Sequence, residues 1–206
     1  LNLTLRRDIL PPLLVTFGIS IIIQNVLLEI FSADTQRLQI GALATASIRI
    51  GESLAIGWFP LIVFLSAVGV VAGLQMLLSA TRLGRAFRAT SDDQQTAALM
   101  GINDRHVFAL AMALAFGVMA LAGVFFAIRT NFSPAIGPAR LLYAFEAVII
   151  GGLGNPWGTL AGGIILGVAQ TIGAKIHPGG QILAGHVAFL MVLVLRPGGL
   201  FPRTRE

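Results

Sequence analysis

HVFALAMALAFGVMALAGVFFAI, residues 106–128, carries no charged side chain and no proline. A helix needs roughly 20 mostly apolar residues to cross the hydrocarbon of a bilayer, and this stretch supplies them on every face. Two further uncharged runs, Ile9–Leu28 and Ser53–Thr81, repeat the pattern. Lipid is therefore the solvent for most of this surface, and the expected fold class is all-α: a polytopic integral membrane helical bundle.

Composition agrees. Of 206 residues, 56% are hydrophobic and 11% charged, well below the roughly 25% charged fraction of ordinary soluble domains. The net charge is +5, and every cation except Lys175 and the histidines is arginine. These arginines lie between hydrophobic runs, where basic loops set membrane orientation, and not along one stripe tracking a phosphate backbone, so nucleic acid is excluded as a partner. Without cysteine, disulfides and thiolate metal sites are excluded as well.

The remaining chain divides around the three runs into about six membrane segments, some short or re-entrant. The first span is read at Leu10–Phe31, with Pro11 and Pro12 tolerated in its opening turn. Residues 32–57 alternate polar and apolar positions (Gln36, Leu38, Ile40; Ser47, Ile48, Arg49, Ile50), the pattern of a short strand pair, hence a small extracytoplasmic hairpin. The second span starts at the interfacial aromatics Trp58 and Phe59 and ends near Ala80. After the third span, Arg129–Arg140 reads as a loop holding Pro134 and Pro138. Leu141–Gly151, Gly158–Ala174 and Ile182–Leu195 are each short for a span; they are three tilted crossings or include a re-entrant pair.

With Arg82–Arg105 cytoplasmic, Arg6, Arg7, Arg82, Arg85, Arg88, Arg105, Arg196, Arg203 and Arg205 fall inside, against Arg37, Arg49, Arg129, Arg140 and Lys175 opposite. That bias sets the orientation. The chain opens on Leu1, and Arg6, Arg7 and the run behind them do not end in a cleavage site. The expectation is a single membrane domain over residues 1–206 that lacks N-terminal spans.

Residues 82–105 carry the most information. Ser91-Asp92-Asp93-Gln94 fits a capping box with Ser91 as N-cap. A short helix then runs through Ala97, Ala98 and Leu99 and stops at Gly101, and Asn103 or Asp104 caps the next span. A small helix beside an arginine cluster is either a docking element for a cytoplasmic partner or a solvated connection.

Three blocks carry a resemblance. Gly84-Arg85-Ala86-Phe87-Arg88-Ala89, followed by Asp93, Ala97 and Gly101-Ile102-Asn103, resembles the cytoplasmic coupling loop of the branched-chain amino acid ABC transporter permeases of the LivH type. Gly151-Gly152-Leu153-Gly154, with Gly158, Gly162-Gly163 and Gly167, is similar to that family's glycine-rich membrane segment. Arg196-Pro197-Gly198-Gly199-Leu200-Phe201 looks like its carboxyl-terminal signature. The resemblance implies a multi-pass subunit of the bacterial plasma (inner) membrane that pairs with a second permease subunit and sits on two ABC ATPase subunits. It also implies receipt of substrate from an extracytoplasmic amino acid-binding protein. The ATPase-coupling residues would be Gly84, Arg85, Ala86, Arg88, Ala89, Asp93, Ala97, Gly101 and Ile102. Two departures stand out: Asn155-Pro156-Trp157-Gly158 where the family often has Ser-Ile-Pro-Gly, and Tyr143 where it often has lysine.

Independently of the family, Gly158 and Gly162, Gly163 and Gly167, and Gly69 and Gly73 are spaced for close helix approach in lipid. With Gly151, Gly152 and Gly154 they form the expected packing set. A nucleotide loop would need a lysine after its glycines, and Lys175 does not provide one, so ATP belongs to a partner and no cofactor is expected on this chain. Glu146 is the one acid inside a hydrophobic segment, hence either on a pathway or hydrogen-bonded between helices. Gln24 and Asn25 are the other candidates for the path. His106, His177 and His186 match no zinc spacing and are read as structural, and no serine has a paired base, so no catalytic or metal residue is expected. Two transport alternatives stay open, a sugar-type ABC permease and an ion-coupled secondary transporter using Glu146. A membrane-embedded enzyme would need clustered catalytic groups that the sequence lacks.

Overall fold

The computed structural model describes residues 10–39, 41, 46–50 and 54–201, with the side chains of 10–13, 49, 50, 54 and 56 left aside. Arg6, Arg7, Ile40, Arg203, Arg205 and the Arg49 side chain, all used in the sequence reading, lie outside that set. The elements are α1 (Leu10–Phe31), β1 (Ser47–Ile50), β2 (Leu54–Gly57), α2 (Trp58–Ala80), α3 (Arg82–Asp92), α4 (Gln94–Leu99), α5 (Asp104–Arg129), α6 (Gly137–Gly151), α7 (Pro156–Ile176) and α8 (Gly180–Leu195). This is a polytopic helical membrane protein. Among the described residues, five helical segments are long and apolar enough to cross a bilayer, and α8 is a shorter apolar helix.

The helices α1 and α2 begin and end where hydropathy places them, and no residue of α2 is buried inside the chain. In water this would be an aggregation surface; in lipid, apolar side chains on all sides of a helix are the expected solvent contact. Two compact units divide the chain: residues 1–61 with 77–137, and residues 62–76 with 138–206.

In the first unit, β1 and β2 pair antiparallel with Ser47 opposite Gly57 and Ile50 opposite Leu54. This is the hairpin that the alternation over residues 47–50 predicts. The earlier part of the alternation is not a second strand of that hairpin. Gln36 instead forms an isolated bridge with Phe132, and Leu38 N donates to Ala127 O at 3.0 Å while Arg37 Nε donates to Ile128 O at 3.4 Å. The last carbonyls of a helix have no intrahelical partner, and at a membrane edge they must be satisfied by protein or water. Residues 36–38 do this for α5. Beside them Phe59 of α2 and Phe125 of α5 meet edge to face at 6.2 Å.

In the second unit, α6, α7 and α8 fold back on one another as antiparallel neighbours. The loop expected over Arg129–Arg140 is shorter: a 3-10 turn occupies Pro134–Ile136 and α6 starts at Gly137, so Pro138 lies in its first turn, where its missing N–H costs nothing. Likewise α7 begins at Pro156 and reaches Ile176, long enough to cross. The sequence reading placed the starts of α6, α7 and α8 late, at Leu141, Gly158 and Ile182, and ended α7 early, at Ala174. Asn155, as N-cap, accepts from Trp157 N at 3.1 Å and Gly158 N at 3.2 Å, with Pro156 at the first helical position.

Glycine sets the separation of these helices. A methyl group at Gly151 or Gly158 would overlap the other's backbone, and one at Gly162 would overlap Ala147 O; one at Gly173 would strike Ala184 and Gly180. These positions bring α7 against α6 and against α8. At Gly163, Gly167, Gly69 and Gly73, by contrast, a methyl would meet nothing within 4 Å. Gly152 and Gly154 serve the α6–α7 turn, with φ of 99° and 84°, a backbone region that glycine enters cheaply.

Candidate functional site

Residues 81–104 form a compact corner built on the end of α2. Thr81 is the N-cap of α3: its Oγ1 accepts from Gly84 N at 3.2 Å and donates to Leu77 O at 2.6 Å. Arg88 Nη1 donates to Leu78 O. Leu77 O thus accepts from both the N–H and the hydroxyl of Thr81, Leu78 O accepts from Arg88 of α3, and Gly84 is buried so close to both carbonyls that no side chain fits there. The stretch Arg82–Thr90 is therefore helix, where the sequence reading saw an arginine cluster ahead of a short helix. Arg85 and Arg88 lie exposed, while Ala86 and Ala89 are half-buried.

The short helix begins two residues later than a Ser91 cap requires. Ser91 belongs to the last turn of α3, and Asp93 is the N-cap of α4, accepting from Gln95 N at 2.9 Å and Thr96 N at 3.2 Å on Oδ1 and from Thr96 Oγ1 at 2.5 Å on Oδ2. A carboxylate with its negative charge takes this place better than a hydroxyl, because it faces the positive end of the helix dipole. The Thr96 hydroxyl first, then the Thr96 and Gln95 amides, hold the Asp93 carboxyl below the usual carboxylate range.

The end of α4 is a Schellman motif. Ile102 N donates to Ala97 O at 3.1 Å and Gly101 N to Ala98 O at 3.0 Å, with Gly101 at φ 82°. Asn103 then caps α5 by accepting from His106 N at 3.4 Å, and Gln94 Nε2 donates to Asp104 Oδ2 at 2.8 Å, which ties the start of α4 to the start of α5. Ala97 is buried beneath this fold.

All nine coupling residues named from sequence, from Gly84 to Ile102, lie in this one corner. Gly84, Asp93, Ala97, Gly101 and Ile102 shape its backbone; Arg85 is exposed, while Arg88, also exposed, reaches back to Leu78 O. Two residues the sequence reading did not single out complete the surface. Leu99 and Met100, at the tip of α4, are 89% and 80% exposed. Both sit outside the segments apolar enough to span a membrane and form an exposed apolar pair. Their signal was present in the sequence as two apolar residues directly before the terminating glycine, but without the burial of Ala97 nothing said which side they would face.

The path candidates are distributed differently. Asn25 Nδ2 donates to Ile21 O within α1 at 2.8 Å, so its amide is used locally, and Gln24 is half-buried. Glu146 in α6 is 3% exposed. Its Oε1 meets Nδ1 of His186 in α8, and its Oε2 is buried with no hydrogen-bond partner. Tyr143, one turn earlier on α6, stacks on the His186 ring with centroids 5.9 Å apart and planes 5° apart, and the Arg140 guanidinium lies 5.8 Å from the Tyr143 ring. His186, read as structural from its spacing, is the partner of the one membrane-depth acid.

The carboxyl-terminal block completes the second unit. Leu200 N donates to Ile150 O at 2.8 Å and Phe201 N to Gly151 O at 3.1 Å, while Gly199, at φ 80°, lies against the Gly152 backbone. The glycine-rich block and the Arg196–Phe201 block, some forty-five residues apart in sequence, form one joint at the end of α6.

The family model described as branched-chain amino acid transport system / permease component matches residues 3–195. The high-affinity branched-chain amino acid transport system permease protein BraD of Pseudomonas aeruginosa is 33% identical over 200 residues, covering 93% of this chain and 64% of BraD. LivH of Salmonella typhimurium, of the same description, is 33% identical over 135 residues, covering 63% of this chain and 43% of LivH. The autoinducer 2 import system permease protein LsrC of Salmonella paratyphi B is 35% identical over 124 residues, 59% of this chain and 34% of LsrC. The chain thus spans less than two thirds of the length of these curated relatives. No solved structure matches it.

Proposed function

The chain belongs to the branched-chain amino acid transport permease family, and from that membership we propose that it is a membrane-spanning subunit of an ABC importer. Its helices enclose part of a path for branched-chain or related amino acids in a bacterial plasma membrane. ATP is hydrolysed on partner ATPase subunits, a second permease subunit completes the path, and an extracytoplasmic binding protein delivers the substrate.

The observation that carries this reading is the α3–α4 corner. It is welded to α2 through Gly84, Thr81 and Arg88 and to α5 through Gln94 and Asn103. It also presents Leu99, Met100 and Arg85 outward. A push on that tip reaches two long helices through hydrogen bonds and backbone contact, without a flexible linker in between. Apolar side chains ringed by charge are the usual anchors of a protein interface.

The test is uptake of radiolabelled leucine into vesicles holding the complete permease, its ATPase and its binding protein. Leu99→Asp and Arg85→Glu leave the helix caps in place and are expected to cut ATP-driven uptake about tenfold or more, as for loss of an interface anchor. An ATPase unable to hydrolyse ATP should abolish it. Uptake that persists without ATP and follows a proton or sodium gradient would replace this reading with a secondary transporter.

A further inference from the structure

The second unit contains a polar cluster that the coupling corner does not use. Glu146 stands in the middle of α6, His186 in the middle of α8, and Gln170 of α7 lies beside Gly185, the residue preceding His186. Glu146 is the only acid in α6, α7 and α8. Arg140 at the start of α6 and Lys175 at the end of α7 are the only Lys or Arg residues there, and residues 62–76 of α2 contribute no charged group. Tyr143 completes the titratable groups around the pair.

Two lone pairs facing each other repel, so a proton must lie between Glu146 Oε1 and His186 Nδ1. It can come from the ring as a neutral imidazole facing a carboxylate, which leaves a net negative charge. Alternatively an imidazolium faces a carboxylate, or a carboxylic acid faces a neutral ring, and both of these are net neutral. Glu146 is almost wholly buried and its Oε2 has no donor. A bare charge in such a place costs far more than a hydrogen bond returns.

We propose that Glu146 and His186 are a protonation site, one acidic proton shared between Oε1 and Nδ1, which latches α6 to α8 as a net-neutral unit. His186, whose side chain is about one-third exposed, connects the buried carboxyl to the surface of the chain. Tyr143 holds the ring flat against α6, and Arg140 packs on Tyr143 in turn, so the ring cannot swing away without breaking the stack.

The proposal rests on the permease reading only for its effect on transport. The experiment uses the full-length permease complex and compares wild type with His186→Gln, Glu146→Gln and the double variant by thermal melting and by leucine uptake. A glutamine at 186 still offers an N–H to the carboxylate but cannot supply the acidic proton. His186→Gln alone is expected to lower assembled, active complex by about tenfold or more, because the carboxyl can then be neutral only by holding the proton alone, with no basic ring to share it. Glu146→Gln and the double variant strand no buried charge and should assemble to within about threefold of the wild-type level, since a neutral replacement pair is often energetically equivalent. Equal behaviour of His186→Gln and the double variant would overturn the proposal, as would a wild-type level in His186→Gln. If the wild-type complex took up no leucine with ATP, the transport reading would fail, and the melting order of the four proteins would still decide the proton-sharing one.

Discussion

At the scale of single residues, this chain uses glycine and one aspartate to build corners that larger or neutral side chains could not. Gly84 sits where a methyl group would overlap the Leu77 and Leu78 carbonyls, so Gly84→Ala should destabilise the α2–α3 corner by roughly 1–3 kcal/mol, the usual cost of overpacking, read as a lower melting temperature. Gly199 combines a crowded site with φ of 80°, so Gly199→Ala is strained twice and should lower the melting temperature as well. Asp93 is expected to act through its charge. Its carboxyl is held below the usual range in the folded chain, so its contribution is fully present above the unfolded value and is lost as pH falls through the lower, folded one. Amide exchange at Gln95 and Thr96 should stay slow at neutral and mildly acid pH and rise only in strong acid. Asp93→Asn should remove that acid dependence.

Among the elements, a recurring device is the capping of membrane helix ends by distant chain. The end of α2 is closed by Thr81 and Arg88, that of α5 by residues 36–38, and that of α6 by Leu200 and Phe201. Ending the chain after Arg196 removes the last of these and exposes two carbonyls, so the truncated protein should melt earlier and show faster exchange around the α6–α7 turn. The glycine rows divide in the same way. Gly162→Leu pushes α7 off α6 and should cost about 1–3 kcal/mol or more, whereas Gly163→Leu points into open space and should leave the melting temperature of the isolated chain nearly unchanged.

For the molecule as a whole, membrane orientation is open to direct measurement because the chain has no cysteine. Leu99→Cys should react with a membrane-impermeant maleimide only from the cytoplasmic side, and Ser47→Cys, in the hairpin ahead of α2, only from the other; labelling of both from one side would refute the orientation that the arginine bias sets. Much of the architecture was legible beforehand. Uncharged runs longer than a bilayer is thick leave a chain no choice but helix in lipid, which is why α1 and α2 match their hydropathy limits, and Gly101 and Asn103 mark their helix ends by local backbone chemistry. The start of α4 was misjudged by two residues because Ser91 and Asp93 are both competent caps, and only the continuation of α3 through Asp92 decides between them. Glu146 was legible as anomalous but not as a partner of His186, since forty residues separate them and neither spacing nor periodicity reports which faces of two helices will meet. By itself, then, the sequence determined the membrane class, the limits of the first two spans and the blocks that mark the family, because these follow from solvent and local geometry. The tertiary structure alone decided that the glycine-rich and carboxyl-terminal blocks form one joint, that Leu99 and Met100 are left uncovered, and that the buried acid shares its hydrogen bond with a histidine, because each depends on which surfaces the folded helices bring together.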